Sequence, residues 1–560
     1  MSIRRSQSLL ATFAILVAIG LQPAQAQDYE TTISGFTHPY DRDVAVDAQG
    51  NAYVISTAYD DRIHVDVLVV KLDPSGTQLW SRYIVGSDHD NPTDVALDAS
   101  GDVYVVGWTM SDDFPLSGGM GQTLTGPRDA FIMKLDSGDG SILFSTLLGG
   151  DYAEEAHALA VDASGNLWVA GATTSTDFPV LDAWQDAPNA PLIYADAFLT
   201  RLTPDADAIL YSTYFGGYQN DSIRDLALDS AGNPVFVGTT NSDDFPLVDP
   251  FDPAPNDLFV AKLSADGSTQ MFGTYLGGED IDRLGGMALS SDDFVYLAGI
   301  TRSSQFPTTP GAFQEQFVGA VNGCGFPPYS PIVNCDDGFL VKLATNGGGI
   351  TYGTYLGGTS VDEGHAVAVD GLGRAHVAGT TYSSDFPGGT DGSANIFVVS
   401  LSADGSAAEG VVTVPTVTGG GHGIAIGADG ALTFTGTVNH PRDLYVARFS
   451  PPGADPVSVS EGTQVSLPAG FALSPGVPNP FRGATTIDFE VPRPGRVELR
   501  IYDVTGALRR TVTAGAMPAG GHAARWDGRD DGGRPVAPGV YFAHLWTEGF
   551  RQSRKLTVLR

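Results

Sequence analysis

The 560-residue chain predicts an all-β fold: a seven-bladed β-propeller, closed by an N-terminal strand, followed by a small Ig-like β-sandwich. Three observations carry that expectation. One pattern of short apolar runs recurs seven times between Asp28 and Gly453, and a long repeat made only of strands and turns signals a propeller or solenoid. Its seventh copy lacks a fourth strand, while an orphan fourth strand, YETTISGF, sits at Tyr29–Phe36. After Gly453 the pattern stops and the charge changes sign, with 13 Lys+Arg against 8 Asp+Glu from Ser474 onward.

In chain order, Arg4 and Arg5 precede the apolar run Leu9–Leu21 and the small-residue site Ala24-Gln25-Ala26. These features describe a signal peptide over 1–26 and an exported chain beginning at Gln27. The apolar run is too short to span a membrane comfortably, and no later run reaches its length. The propeller is expected over 28–453. In its second copy the strands read Asp94–Asp98, Asp102–Thr109, Asp129–Leu135 and Ser141–Gly150. Each is a short apolar run bounded by Gly, Asp, Asn or Pro. Turns of the type DASGD or DASGN join the first two strands, and their glycine supplies the positive φ a tight hairpin needs.

Phe-Pro ends the second strand at Phe114-Pro115, Phe178-Pro179, Phe245-Pro246, Phe306-Pro307 and Phe386-Pro387, where proline withholds an amide donor. The connection after it varies, so the aligned alanines (Ala45, Ala96, Ala160, Ala227, Ala288, Ala368, Ala425) are spaced 51, 64, 67, 61, 80 and 57 residues apart. Variable length at one fixed point puts those loops on one face. Donating Tyr29–Phe36 to the seventh copy closes the ring and removes an unpaired edge. The strand pair around DASGN, the S-x-D-F-P end, D-x-F-V-x-K-L, Y-x-T-Y-L-G-G and FPTTPGAFQ (Phe306–Gln314) resemble the SBBP β-propeller repeat family. That resemblance covers roughly Asp43–Phe449 and implies a fold, with no shared reaction.

Residues 454–473 read as a linker and 474–560 as the sandwich, with strands at Thr485–Val491, Arg496–Asp503, Ala507–Thr513, Gly521–Gly528, Gly539–Thr547 and Arg551–Arg560. Asn479, Pro480 and Phe481, the turn Ile501–Gly506, Trp526-Asp527-Gly528, Gly539 with Tyr541, and Lys555 in the terminal R-K-L-T-V-L-R carry a second resemblance. It is to the type IX secretion (Por) C-terminal sorting domain and the FlgD-like Ig domain of hook-capping proteins. The resemblance implies delivery by a type IX secretion translocon to the medium or the outer-membrane surface. The signal peptide and propeller do not belong to hook-capping machinery.

A formal charge of −35 argues against a nucleic-acid partner, since phosphates are repelled. Cys324 and Cys335, the two cysteines, sit in one insertion and are expected to form a local disulfide in an exported protein. Acidic stretches after the fourth strands, such as GGDYAEE (Gly149–Glu155) and GGTSVDE (Gly357–Glu363), are oxygen-rich and raise Ca2+ as a ligand. None matches a calcium-loop motif, so they are expected to be solvated turns and no cofactor is assigned. Lys71, Lys134, Lys262 and Lys342 share one strand position and read as structural.

With the first strand innermost, residues just before each aligned alanine ring the channel mouth: Arg42, Asp43, Asp94, His157, Arg224, Asp225, His365 and His422. Wet, polar side chains line any such mouth, yet histidine, arginine and carboxylate together can also bind a ligand or move protons. No G-x-S-x-G, H-E-x-x-H or P-loop occurs, which points away from catalysis. The expected role is a non-catalytic binding scaffold for an extracellular glycan or protein. The alternatives are a polysaccharide lyase or hydrolase using that ring, and a purely structural surface-layer element.

Overall fold

The computed structural model describes residues 27–33, 37–59, 64–189, 193–255, 257–319, 335–344, 349–388, 394–415, 420–438, 443–450, 471–474, 479–491, 495–517, 520–547 and 550–559. The leader, Cys324 and residues 454–470 lie outside them. The chain divides into two compact units, Met1–Ser460 and Glu461–Arg560.

The described residues of the first unit form seven four-stranded antiparallel sheets, the blades of a propeller. The first strands are Thr37–Val46, Asp90–Leu97, Glu154–Val161, Asp221–Leu228, Asp282–Leu289, Asp362–Val369 and Gly421–Ile426. Each packs against the first strand of the next blade, and that of the last against that of the first, so these strands are innermost. The ring closes as the missing fourth strand requires: Gln27–Ile33 pairs antiparallel with Asp443–Phe449, from Tyr29↔Arg448 to Ile33↔Leu444. Residues 34–36 of the expected strand lie outside the described residues.

Aromatic packing shows that this borrowed strand takes a fourth strand's place. Between third and fourth strands, the turn glycines Gly140, Gly267 and Gly405 rest against Trp80, Tyr211 and Tyr352 of the preceding blade. Gly76 rests in the same way against Tyr29. All four have φ between +68° and +80°, and a Cβ on any of them would press into the ring at 2.9 Å or less. Glycine is required there by both conformation and space.

Apolar clusters fill the spaces between blades, one at each junction. The Phe of each Phe-Pro folds under its own sheet onto a third-strand phenylalanine: Phe114 on Phe131 at 5.0 Å, Phe178 on Phe198 at 4.7 Å, Phe245 on Phe259 at 4.2 Å, Phe306 on Phe339 at 4.4 Å and Phe386 on Phe397 at 4.6 Å. A fourth-strand tyrosine staples the motif. Tyr355 Oη donates to Ser303 O at 2.8 Å and accepts from Phe306 N at 3.1 Å, and Tyr214 and Tyr275 repeat the arrangement. The DASGN aspartates cap their own turns; Asp162 Oδ1 accepts from Ser164 N and Asn166 N. The strand lysines are structural: Lys134 meets Asp98 at 2.8 Å and Lys262 meets Asp229 at 2.6 Å.

The expectation of solvated acidic turns is corrected. First strands begin up to four residues earlier than read, at Asp90 rather than Asp94, and each opens on a carboxylate of its acidic stretch. Asp90, Glu154, Asp221, Asp282 and Asp362 are all 2% exposed or less. Asp362 Oδ2 accepts from Gly358 N at 2.7 Å and from Ser383 Oγ at 2.7 Å, joining three consecutive segments of chain. Asp221 and Asp282 accept in the same way from Ser242 and Ser303, and Asp90 and Glu154 bind Thr109 and Thr173. A second buried carboxylate stands close by at the start of the preceding third strand, as Asp337 does beside Asp362. The two cannot both ionise cheaply in a dry site. Burial pushes Asp90 and Asp337 up to about 7, and Asp221, Asp282 and Asp362 up to about 6.

In the insertion of the fifth blade, Cys335 is buried and disulfide-bonded. The second unit is a two-sheet sandwich, one sheet of three strands and one of four, over a shared core that includes Phe481, Ile487, Leu499, Trp526 and Leu545. Its first strand, Ala472–Leu473, falls inside the segment read as linker and pairs with Glu490 and Phe489. The motif residues are structural there. Phe481 and Tyr541 flank Trp526 at 5.5 and 5.3 Å, and the Trp526 indole N–H donates to Arg529 O. Asn479 bonds the last strand through Lys555 O and Thr557 N. Gly528 takes a φ of +70° at the end of the Trp-Asp-Gly turn.

Candidate functional site: the channel mouth

Every innermost strand carries a β-bulge at the same place. Pairing with the second strand slips by one residue at Arg42, Thr93, His157, Arg224, Gly285, His365 and His422. A bulge leaves one residue outside the ladder and re-aims its side chain. The seven extra residues lie three before the aligned alanines, so one backbone irregularity, repeated around the ring, builds the mouth.

Seven of the eight residues expected at the mouth line one cavity of about 260 Å³: Asp43, Asp94, His157, Arg224, Asp225, His365 and His422. Arg42 occupies its bulge, but its side chain is not among the described ones. A second, adjoining hollow shares Thr93, His157, Arg224 and Gly285 and adds Thr239 and Arg283.

The lining separates into two classes. The aspartates are structural fasteners between neighbouring blades. Asp94 accepts from Val95 N and, across the blade boundary, from Leu159 N at 2.6 Å. Asp225 does the same with Leu226 N and Met287 N at 2.7 Å. Burial pushes Asp225 up to about 7. Asp43 is raised well above the carboxylate range by burial and by the charge of Asp94, with which it shares a hydrogen bond. A proton held between Asp43 and Asp94 removes their mutual repulsion.

The basic side chains are the second class, Arg224 exposed and the three histidines partly buried. Arg224 Nη1 lies 3.2 Å from His157 Nε2, which in turn stands 3.6 Å from Glu155. Burial lowers the Arg224 pKa, partly opposed by the Glu155 charge. Three blades on, the set recurs: His365 Nε2 is 3.4 Å from Glu363, and the His365 and His422 rings lie 5.4 Å apart. The His365 bond holds the Glu363 pKa below the ordinary range, helped by the charge of Arg283. Glu155, Glu363, Arg283, Thr93 and Gly285 escaped the sequence reading. A legible signal existed for the first two, the repeated Glu-x-His of Glu155/His157 and Glu363/His365.

Chemically, the mouth offers arginine and imidazole donors above a tier of carboxyls that burial pushes toward the neutral form, against backbone bonds that favour their charge. An anionic or hydrogen-bond-accepting group is what such a surface holds. Among the described residues no helix is long and apolar enough to cross a membrane.

Among curated proteins, the chain is similar to the regulatory protein FlaEY of Caulobacter vibrioides, with 25% identity over 317 residues. The match covers 49% of this chain and 32% of that protein, so the chain spans about a third of the relative's length. Solved structures include PorZ, a surface component of the type IX secretion system of Porphyromonas gingivalis, at a TM-score of 0.38 and 14% identity, covering 94% of this chain and 61% of that one. A gluconolactonase from Xanthomonas campestris matches at 0.27 and 15%, covering 65% of this chain and 97% of that one. The chain carries Beta-propeller repeats of the SBBP family at residues 79–115, 210–246 and 351–387, and a FlgD Ig-like domain at residues 478–545.

Proposed function

We propose that the protein is an exported, non-catalytic binding scaffold whose channel mouth holds an acidic group of an extracellular glycan or protein. One observation carries the reading. In a chain of net charge −35, the seven bulged residues comprise two arginines, three histidines, one threonine and one glycine, with no acid among them. Local positive charge against an acidic body focuses anions into one place and repels them elsewhere. The test is calorimetric titration of the mature protein with acidic and neutral oligosaccharides. Uronate-containing or sulfated chains are expected to bind, and Arg224→Ala to weaken them about tenfold without shifting the thermal transition. Equal affinity for neutral sugars, or none for any acidic chain, overturns the reading.

The contact between Arg224 and His157 supports a second reading, a polysaccharide lyase or hydrolase in which arginine neutralises a substrate carboxylate and histidine moves the proton. The same titrations separate the two. A His157, His365 and His422 to Ala triple variant retains part of the affinity of a binder but abolishes all turnover of an enzyme. A third reading is a structural surface-layer element, which requires no binding at all. The FlgD Ig-like module and the expected leader further support export with sorting by a type IX secretion translocon, after which the protein stays in the medium or on the outer-membrane surface. Removal of 474–560 then leaves the chain in the periplasm, and its unchanged appearance outside the cell excludes the route.

A further inference from the structure

We infer that His64, Asp88 and His89 form a binding site for one first-row divalent transition metal of the Zn2+ type, at the junction of the first two blades. The site is separate from the channel mouth. His64 precedes the third strand of blade 1 (Val65–Leu72), and Asp88 and His89 precede the first strand of blade 2 (Asp90–Leu97). One ligand atom from each residue lies within 4.8 Å of the other two.

The geometry is close to what such a metal asks for. Bonds of about 2.1 Å in a tetrahedron hold ligand atoms about 3.4 Å apart. His64 Nδ1 and Asp88 Oδ1 already stand at 3.4 Å. The His64 and His89 rings meet edge to face at 5.3 Å. His64 Nδ1 is buried and makes no hydrogen bond among the described residues. Two imidazoles and one carboxylate with open positions suit zinc, copper or nickel, and a hard cation such as Ca2+ poorly.

The cluster is anchored. Met110 N donates to His89 O at 2.9 Å, Ser111 Oγ accepts from Asp88 N at 3.0 Å, and His89 N donates to Asp88 Oδ1 at 2.8 Å. To close on a metal the ligand atoms draw in from within 4.8 Å of one another to about 3.4 Å. Loading costs one bond, from Val65 N to His89 Nδ1 at 3.2 Å. Ligation through Nδ1 replaces it, and ligation through Nε2 requires a proton on Nδ1.

The repeat does not demand these residues. At the corresponding positions the next four junctions carry Pro127 with Tyr152 and Ala153, Tyr194 with Gln219 and Asn220, Pro255 with Asp280 and Ile281, and Cys335 with Ser360 and Val361. The blade folds without histidine there, so the cluster is a feature of this junction and not of the fold.

The test is zinc titration of the untagged full chain by calorimetry at pH 7.5 and pH 5, with excess Ca2+ as competitor. One equivalent is expected at pH 7.5, weakened at pH 5 because protons compete for imidazole, and indifferent to Ca2+. The His64→Ala/His89→Ala variant should lose tenfold or more, while the channel triple His157, His365 and His422 to Ala keeps the site. His64→Gln, a change at a partly exposed side chain, serves if the double variant unfolds. No uptake by the unaltered chain, unchanged uptake by the variants at this junction, or loss in the channel triple overturns the assignment.

Discussion

At the scale of single residues, the most consequential side chains are buried acids and the aromatic wedges beside them. Asp362 ties Gly358 N and Ser383 Oγ together where water cannot substitute. Asp362→Ala strands those donors and is expected to cost about 3 kcal/mol, read as a shifted denaturant midpoint. Asp362→Asn keeps an acceptor, carries no charge, and should cost about 1 kcal/mol or less. Equal losses in the two would mean that packing, not hydrogen bonding, decides the site. Phe306 is 2% exposed, stacked on Phe339 and stapled by Tyr355. Phe306→Ala opens a cavity between blades and should cost about 3–5 kcal/mol. The mouth residues behave oppositely. Arg224 faces the lumen and fastens nothing in the core, so its loss should alter binding and leave stability unchanged.

At the scale of elements, the closing strand matters most. Among the described blades, the pair of Gln27–Ile33 with Asp443–Phe449 alone joins strands not consecutive in sequence, and it seals the edge that Asp443–Phe449 otherwise exposes. Removing residues 27–36 should lower the unfolding temperature by ten degrees or more and produce concentration-dependent association, seen by light scattering. A milder probe is Gly76→Val. It combines a φ of +80° with a Cβ that would lie 2.5 Å from Tyr29. It should loosen this strand selectively, with faster amide exchange over 29–33 than over the other fourth strands. Uniform exchange would show that the seam is no weaker than any other junction. The bulge is the element that makes function possible. The slip takes one residue per inner strand out of the ladder, and His157, Arg224, His365 and His422 among them line the cavity.

At the scale of the whole molecule, the carboxyl pairs couple stability to pH. The folded-state pKa values near 6–7 of Asp90, Asp221, Asp282, Asp337 and Asp362 lie above the unfolded value of 3.8. Each group therefore adds stability that is complete below about pH 4 and is lost as pH rises through 6–7. Asp162, Asp229 and Asp370 act with the opposite sign, because hydrogen bonds and cations lower them, and they weaken the fold only below about pH 4. Calorimetry should find a higher unfolding temperature at pH 5 than at pH 8. Combined replacement of Asp90 and Asp337 by Asn should flatten the slope. A transition temperature constant from pH 5 to 8 would show that these acids are charged and compensated.

Much of this was legible in the residues themselves. Apolar alternation, DASGN turns, Phe-Pro ends and an orphan strand at Tyr29 determine strands, blades and closure, because each is a local preference repeated until only a ring buries every face. The sandwich strands were legible for the same reason. Two things waited for the tertiary structure. Within GGDYAEE or GGTSVDE nothing local tells the buried Glu154 or Asp362 from its solvated neighbours. Burial is decided by Thr, Ser and Asp side chains brought in from other strands. Nor does any single strand announce its bulge. The slip exists only between partners, where inner strands crowd around an axis, and it turns scattered Arg and His positions into one basic mouth.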